Sequence, residues 1–461
     1  MEARNYYSGR NIRRKAKRDL AFYLRHTCRI IMGVLFIFSA YVKMVDPFGF
    51  ALKIEEYFIS FGMDFFTPAS MFCAYCAILA EFVIGWALLL NIQMRITSWV
   101  LLLFLIFFTL LTFWLAYALD IIDIINRIFN THFEIFVVTD CGCFGDFVKL
   151  TNHQTFYKNI LFLIPTLIIF SQRKNYNDQH WYYISQWLPI GLAVLFALFA
   201  MTHCLRHEPW HDFRPWKTGN FIAAETYSVA PEMEFVFLYR NNTDGSIQEL
   251  TVDQLSEIAD DSTANADFEL NYTFEKRKEK IIKEGINARL ADFTITDAVQ
   301  KTDIKNLIIN NPDYHFLIFL RDLAPLTPRK LSSTLQLIEE CKQNNLEYTI
   351  ITGTSPDIAD SLKLELGLDE DIYYCDMTPM KTAIRNSPGV IMLKNGYVMD
   401  KWAYRDIPSV ESILKNMDKY NHQYRKYIKN TPPILPDGIN MSEEEEEEDT
   451  PMEEEETDMT E

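Results

Sequence analysis

A bundle of membrane-spanning helices followed by a soluble α/β layer domain is the architecture this sequence predicts, and three observations predict it. Residues 26 to 205 are strongly apolar and residues 206 to 461 are not, so a mean hydropathy of −0.05 averages two unlike halves. Five runs in the first half approach the ~20 residues that cross a hydrocarbon core. The second half alternates short β-rich runs with helical ones from residue 286 onward, the order of a layered α/β fold.

The ends of the chain carry charge of opposite sign. Of the acids behind the formal charge of −18, 13 lie between Glu443 and Glu461, so the remainder is only mildly acidic. Such a block buries too little apolar surface to offset its ordering entropy, and residues 421–461 are expected to be a disordered, solvating tail. Residues 1–25 hold Arg4, Arg10, Arg13, Arg14, Lys15, Lys17, Arg18 and Arg25 against Glu2 and Asp19. Basic residues just before a membrane segment stay cytoplasmic, so a nucleic-acid partner is not expected. The first apolar run contains Lys43 and leads into "VDPFGF" without a small-residue cleavage pattern, so no removable signal peptide is expected.

The predicted spans are 26–44, 67–91, 96–119, 155–171 and 187–205, together a membrane domain over 26–205. Thr67 and Pro68 are suited to cap and open the second. Arg95 joins the second and third spans, and Arg173 and Lys174 join the fourth and fifth. All three agree with a cytoplasmic N-terminus, which places 46–66, 120–154 and everything after 206 outside.

The stretch "TDCGCFGD", Thr139 to Asp146, therefore faces the oxidising side, where disulfides form and persist. Cys141 and Cys143 read as a redox pair, since a bridge across one residue closes a strained ring with an oxidising potential. A structural clip, or two thiolates on a soft metal ion, are the alternatives. Gly142 removes a side chain from the crowded turn. Cys73 and Cys76 lie three residues apart on one helical face, about 8 to 12 Å inside the second span. Two thiol pairs near one membrane surface are the layout of a relay from a thiol protein toward a lipid-soluble quinone. Glu81 lies deeper in the same helix, where an ionisable group is a functional candidate by default. Lys43, Asp46, Asp120 and Asp123 fall at outer helix ends, where solvation accounts for them, and a Lys43–Glu81 pair is not expected at such different depths.

"GVLFIFSAYVKMVDPFGF", "AEFVIGWALLL" and "DCGCFGDFVKLTNHQTFYKN" resemble the DoxX/MauE membrane proteins over about residues 26 to 175. The resemblance implies a four-helix core, here with a fifth span, and a redox-associated role. In the MauE branch that role is linked to maturing a disulfide-rich periplasmic enzyme. It implicates Cys141, Gly142, Cys143, Phe144, Gly145 and Asp146 as the motif and matches Lys43 and Glu81 to recurrent polar positions. Cys73 and Cys76 come from spacing alone.

Residues 206–285 read as a connector and a hairpin. His203, His207 and His211 recur at metal-ligand spacing, but Pro209 breaks the helix that would align them. "FVFLYRNNTDGSIQEL" alternates on both sides of a turn. In 286–420 the order is strand "HFLIFL", helix, strand "YTIITG", helix, then "NSPGVIMLKNGYVMDKW" with a tight "KNGY" hairpin. The order, with "LADFTITD" as a leading strand and Pro388 at a cis-proline position, resembles the thioredoxin-like domains. The turn that would carry C-x-x-C reads "DLAPLTPRK", with Ala324 and Thr327 in place of the thiols, and Cys341 and Cys375 are expected to be inert.

Two functions fit. One is a bacterial inner-membrane redox accessory that forms or relays disulfides with a periplasmic thiol protein, with a quinone as the expected acceptor. The other is a non-enzymatic anchor whose redox-dead domain docks a partner.

Overall fold

The structure, a computed structural model, describes residues 20–132, 138, 142–176, 183–226, 232–260, 262–283, 288–297, 301–368 and 370–431. Cys141, the first 19 residues and the acidic stretch from 432 onward lie outside them. The chain divides into two compact units. The first holds Met1–Lys217, Thr382–Val390 and Trp402–Ile407, and the second holds Thr218–Lys381, Ile391–Lys401 and Pro408–Glu461.

The first unit is helical. Its elements are α1 (Leu20–Val45), α2 (Pro47–Ser60), a 3-10 turn (Asp64–Ala69), α3 (Ser70–Leu90), α4 (Met94–Phe129), α5 (Asn152–Ser171) and α6 (Tyr183–Arg206). Five of its helical segments are long and apolar enough to cross a membrane, beginning at Leu20, Asp64, Met94, Asn152 and Trp187.

Local chemistry fixes the ends. Asp46 caps α2 by accepting from the Gly49 amide at 2.9 Å, with Pro47 in the first turn. Thr151 and Gln154 close a capping box on α5. Arg29 Nη1 donates to the Leu88 and Leu89 carbonyls at 2.6 and 3.2 Å, placing a cation at the negative end of α3.

α1 and α3 touch backbone to backbone. A Cβ on Gly33 would lie 3.1 Å from the Gly85 carbonyl, and one on Gly85 would lie 3.0 Å from the Gly33 carbonyl. Small residues permit this approach where lipid supplies no hydrophobic drive between helices. Below and above that contact lie two apolar clusters, one around Met32, Phe36, Leu88 and Leu101 and one around Ala40, Met44, Ile78 and Ala197.

Two expectations are corrected here, and one element not predicted is added. Within residues 46–66, α2 buries Phe50, Ala51 and Tyr57. Thr67 caps nothing, since it and Pro68 lie in the 3-10 turn and α3 begins at Ser70 without a side-chain cap. The third span runs on as helix to Phe129, and at about 1.5 Å per residue its 36 residues exceed a bilayer core. Asp123 is exposed there and pairs with Arg127 at 3.0 Å.

The second unit holds α7 (Ile222–Thr226), then β1 (Glu232–Asn241), β2 (Ile247–Thr251), α8 (Val252–Asp260), α9 (Ser262–Asn271) and β3 (Tyr272–Lys283). The expected hairpin pairs as drawn, Val236 opposite Thr251, and β3 extends it to a sheet ordered β2-β1-β3. After it come α10 (Lys305–Ile309), β4 (His315–Leu320), α11 (Pro328–Gln343), β5 (Glu347–Thr352), α12 (Pro356–Leu366), β6 (Ile372–Tyr374) and α13 (Met377–Ala383). The chain closes with β7 (Gly389–Lys394), β8 (Tyr397–Ala403), α14 (Val410–Lys415) and α15 (Met417–Asn430).

These strands form a sheet ordered β6-β5-β4-β7-β8, with β4–β5 and β5–β6 parallel. This is a thioredoxin-like layer domain. β4 is buried along its whole length, as parallel strands covered on both faces are. Asn395 and Gly396 both take positive φ in the β7–β8 turn, and the Ser387–Pro388 bond is cis. "LADFTITD" makes only isolated bridges at Thr296, to Tyr374 and Asp303, and no strand. Residues 421–430, expected in the acidic tail, are helical in α15, which buries Tyr420 and Tyr424.

Candidate functional site

The first unit contains a partly open cavity of about 720 Å³ lined by α1, α2, α3, α4, α5 and the turn after Gly142. Its walls are mostly aromatic and aliphatic, among them Phe50, Tyr57, Phe104, Phe108 and Phe162. Cys73, Cys143, Ser39, Lys43, Glu81, Lys158 and Asn159 are among the side chains that bring polar atoms or sulfur to it.

Lys43 and Glu81 are the centre of that set. Lys43 Nζ donates to Oε1 at 2.8 Å and Oε2 at 2.7 Å, with both side chains almost fully buried. The expected separation in depth was an error about side-chain direction. Gly33 against Gly85 sets the register, and Glu81 then sits about six residues, roughly 9 Å, along the axis from Lys43. The two helices run antiparallel there, and helical side chains lean toward their own N-terminus, so these two lean toward each other. Ser39, one turn from Lys43, receives from Lys43 Nζ at 2.8 Å and lies 3.0 Å from Glu81 Oε2 and 3.1 Å from the Cys143 carbonyl. The cysteine turn is thus tied to the buried pair through one hydroxyl.

The turn itself is built by glycine. Gly142 and Gly145 have φ of +62° and +50°, and a Cβ on Gly142 would meet Lys53 Cγ at 3.0 Å. The Gly145 amide donates to the Gly142 carbonyl at 3.0 Å. Phe144 lies under the Lys158 ammonium, 4.6 Å from the ring centre.

Of the four cysteines predicted to react, Cys73 and Cys143 share the cavity. Cys76 is an exposed free thiol on the same helix and Cys73 a half-buried one, so the pair does not present one face to the cavity. Cys141 lies outside the described residues. Asp46, expected to be simply solvated, accepts from Arg385 Nε at 2.9 Å and Nη2 at 2.7 Å. Burial alone would raise its carboxyl, but Arg385, the nearby Arg214 charge and the Gly49 amide hold it below the usual carboxylate range. Arg214 is itself buried between Asp212 at 2.6 Å and Glu208 at 2.9 Å. Sequence reading missed Ser39 and α2. Ser39 was findable as the residue four before Lys43, on the same helical face.

The thioredoxin-like turn is chemically silent. Thr327 caps α11, accepting from the Lys330 amide, and the Ala324 amide donates to Asp322 at 3.1 Å. Burial pushes the Cys341 and Cys375 thiols each up to about 12, with nearby acids adding to the shift. At pH 7 both thiols stay protonated and unreactive. A full-length chain with Cys28, Cys73, Cys76, Cys141, Cys143 and Cys204 all changed to Ser, leaving only Cys341 and Cys375, should therefore show no reduction of a model disulfide at pH 7. Any rate should rise with pH up to about 12. Turnover at neutral pH would mean one of these two thiols is activated. Among the described residues no group of three or more metal-type side chains gathers.

Fold and cavity together define a multi-pass helical membrane protein that carries a thioredoxin-like domain without its thiols. Residues 21–123 match the family model described as methylamine utilisation protein MauE. That stretch contains Lys43, Cys73, Cys76 and Glu81 and stops before the cysteine turn. The chain is also similar to Protein TlpB of Flavobacterium psychrophilum, 25% identical over 215 residues, which is 45% of this chain and 53% of that protein. It thus spans about half the length of this curated relative. No solved structure matches.

Proposed function

We propose that this protein is a bacterial inner-membrane redox accessory that supports disulfide formation in a periplasmic thiol protein. The observation that carries the reading is Cys73 and Cys143 on the wall of one apolar, intramembrane cavity whose polar end is the Ser39–Lys43–Glu81 group. A partner dithiol would attack an oxidised Cys141–Cys143 pair through a mixed disulfide, leaving the partner oxidised and the pair reduced. The two electrons and two protons then pass by way of Cys73 and Cys76 to a lipid-soluble quinone, which leaves as the quinol. A cavity of this volume is in the range that holds such a ring. Lys43 is the donor proposed for a quinone oxygen, exchanging for it one of the three bonds it makes to Ser39 and Glu81, with Lys158 the other ammonium on the wall.

The orientation in this reading has the N-terminus cytoplasmic. Arg25, Arg29, Arg95, Arg173 and Lys174 fall at the cytoplasmic ends of their spans in that arrangement. A Thr218→Cys label, at an exposed position, should react with an impermeant reagent from the periplasmic side of intact cells. Labelling only after the cells are opened would reverse the topology and put the thiols in a reducing compartment.

The second reading, an anchor whose thioredoxin-like domain docks a partner, is favoured by Ala324 and Thr327 in place of a dithiol. The two readings part at the cysteine turn, which is redox-active in the first and a structural clip in the second.

A further inference from the structure

Arg385 joins two parts of the cavity wall that are far apart in sequence. Its guanidinium holds the Asp46 carboxylate with Nε at 2.9 and 3.1 Å and Nη2 at 2.7 Å, and the same Nη2 faces Asp146 Oδ2 at 3.8 Å. Asp46 is the cap of α2, which contributes Phe50, Ile54, Tyr57 and Phe58 to the cavity. Asp146 closes the turn that contributes Cys143 and Phe144. Phe48, on the first turn of α2, lies 5.9 Å from the guanidinium. A Cβ on Gly49 would clash with Asp46 Oδ2 and come within 2.6 Å of Arg385 Nη2, so residue 49 is kept bare by the carboxylate and the guanidinium together.

Other charges face the same place. Arg214 adds a cation felt by Asp46, and Lys149 lies 3.9 Å from Asp146, so Arg385 is the group that meets both carboxylates at once. Only Arg presents a planar fork that grips one carboxylate with two nitrogens and still turns an N–H toward a second.

We infer that Arg385 is a positioning residue that holds α2 and the cysteine turn together as the closed wall over Cys73 and Cys143. The strong arm is Asp46 and the weaker arm is Asp146, beyond hydrogen-bond length. Ser39 secures the same turn from the cavity side, so loss of Arg385 frees the outer edge of the wall and leaves the inner tie in place. The functional meaning rests on the thiol-exchange reading above. The geometry does not, so thiol access can be measured independently of any electron transfer.

The test uses the full-length chain in detergent or nanodiscs, reduced beforehand, with Cys76→Ser so that Cys73 and Cys143 report on the cavity. The labelling rate with a bulky polar maleimide is followed for each by mass spectrometry. Arg385→Ala should raise both rates about tenfold, the factor that corresponds to about 1.4 kcal/mol in the opening equilibrium. Arg385→Lys should fall between, keeping charge and losing the fork. Asp146→Asn, which removes the weaker arm and leaves the Asp46 cap of α2 in place, should raise the Cys143 rate and leave that of Cys73 near the parent, a split that mere surface loosening does not give. Equal rates in the parent and Arg385→Ala overturn the assignment. If Arg385→Ala does not accumulate, Asp146→Asn decides: a faster Cys143 rate supports the clamp, and an unchanged one overturns it.

Discussion

Changing Lys43 to Met in the otherwise intact chain should be the most destabilising single substitution in the first unit, and changing Glu81 to Leu as well should recover most of the loss. Lys43 and Glu81 are buried together, and removing one partner leaves the other charge in a low-dielectric interior without compensation. That costs about 3–5 kcal/mol, a large share of the stability of an ordinary domain. Replacing both with apolar side chains of similar volume removes the desolvation penalty along with the attraction, and such double changes are often neutral. The measurement is the thermal midpoint of the purified chain in detergent. The double variant should stand within about 1 kcal/mol of the parent and well above either single change. Activity separates the roles, because the double variant lacks the donor proposed for the quinone and should remain inactive although folded. A Lys43→Met chain as stable as the parent would mean the pair is not buried as described.

The second large effect concerns the cysteine turn. A Cys143→Ser chain should lose disulfide-forming activity to background, because no Cys141–Cys143 disulfide remains to be attacked. Its Cys141 thiolate should attack the disulfide of the oxidised partner, releasing one partner thiolate and staying bonded to the other sulfur because Cys143 is no longer there to displace it. The adduct should appear as a reducible upward shift on a non-reducing gel and should identify the partner. In membranes whose quinone pool is reduced, the parent chain should accumulate with Cys73 and Cys143 as thiols, and reoxidising the pool should convert them together. If Cys143 stays oxidised and Cys73 reduced under both conditions, the two do not exchange electrons. The turn is then a clip, and the docking reading replaces the relay.

The fold was readable where one physical signal dominated. Each span was visible as an apolar run, and the sheet of the second unit was visible in "HFLIFL" and "YTIITG" because buried parallel strands are continuously apolar. Asn395–Gly396 was visible because few residues other than Asn and Gly accept two successive positive φ values. α2 was not visible, since "PFGFALKIEEYFIS" mixes charge with aromatics and is too short to span, so its burial depends on the bundle it packs against. β3 was missed because "FEKRKEKII" is mostly charged, and its strand character comes from pairing with β1. The site divided in the same way. Cys73, Cys143, Lys43 and Glu81 were each named from sequence, but the Lys43–Glu81 bond required the register fixed by Gly33 and Gly85. Arg385 could not be found, because its partners lie 339 and 239 positions away and nothing in "TAIRNSPG" marks them.

The glycine contact between α1 and α3 has a mechanical consequence. Two helices whose backbones already touch have no room to approach further, and sliding past each other would drive Leu89 and Ile37 into the opposite glycine. The back of the cavity is therefore a fixed frame, and a guest such as the proposed quinone would be accommodated at the front, where α2 and a glycine-built turn are held by side chains. Ligand size would then be read as displacement of those two elements, and the cysteine of the turn would travel with them.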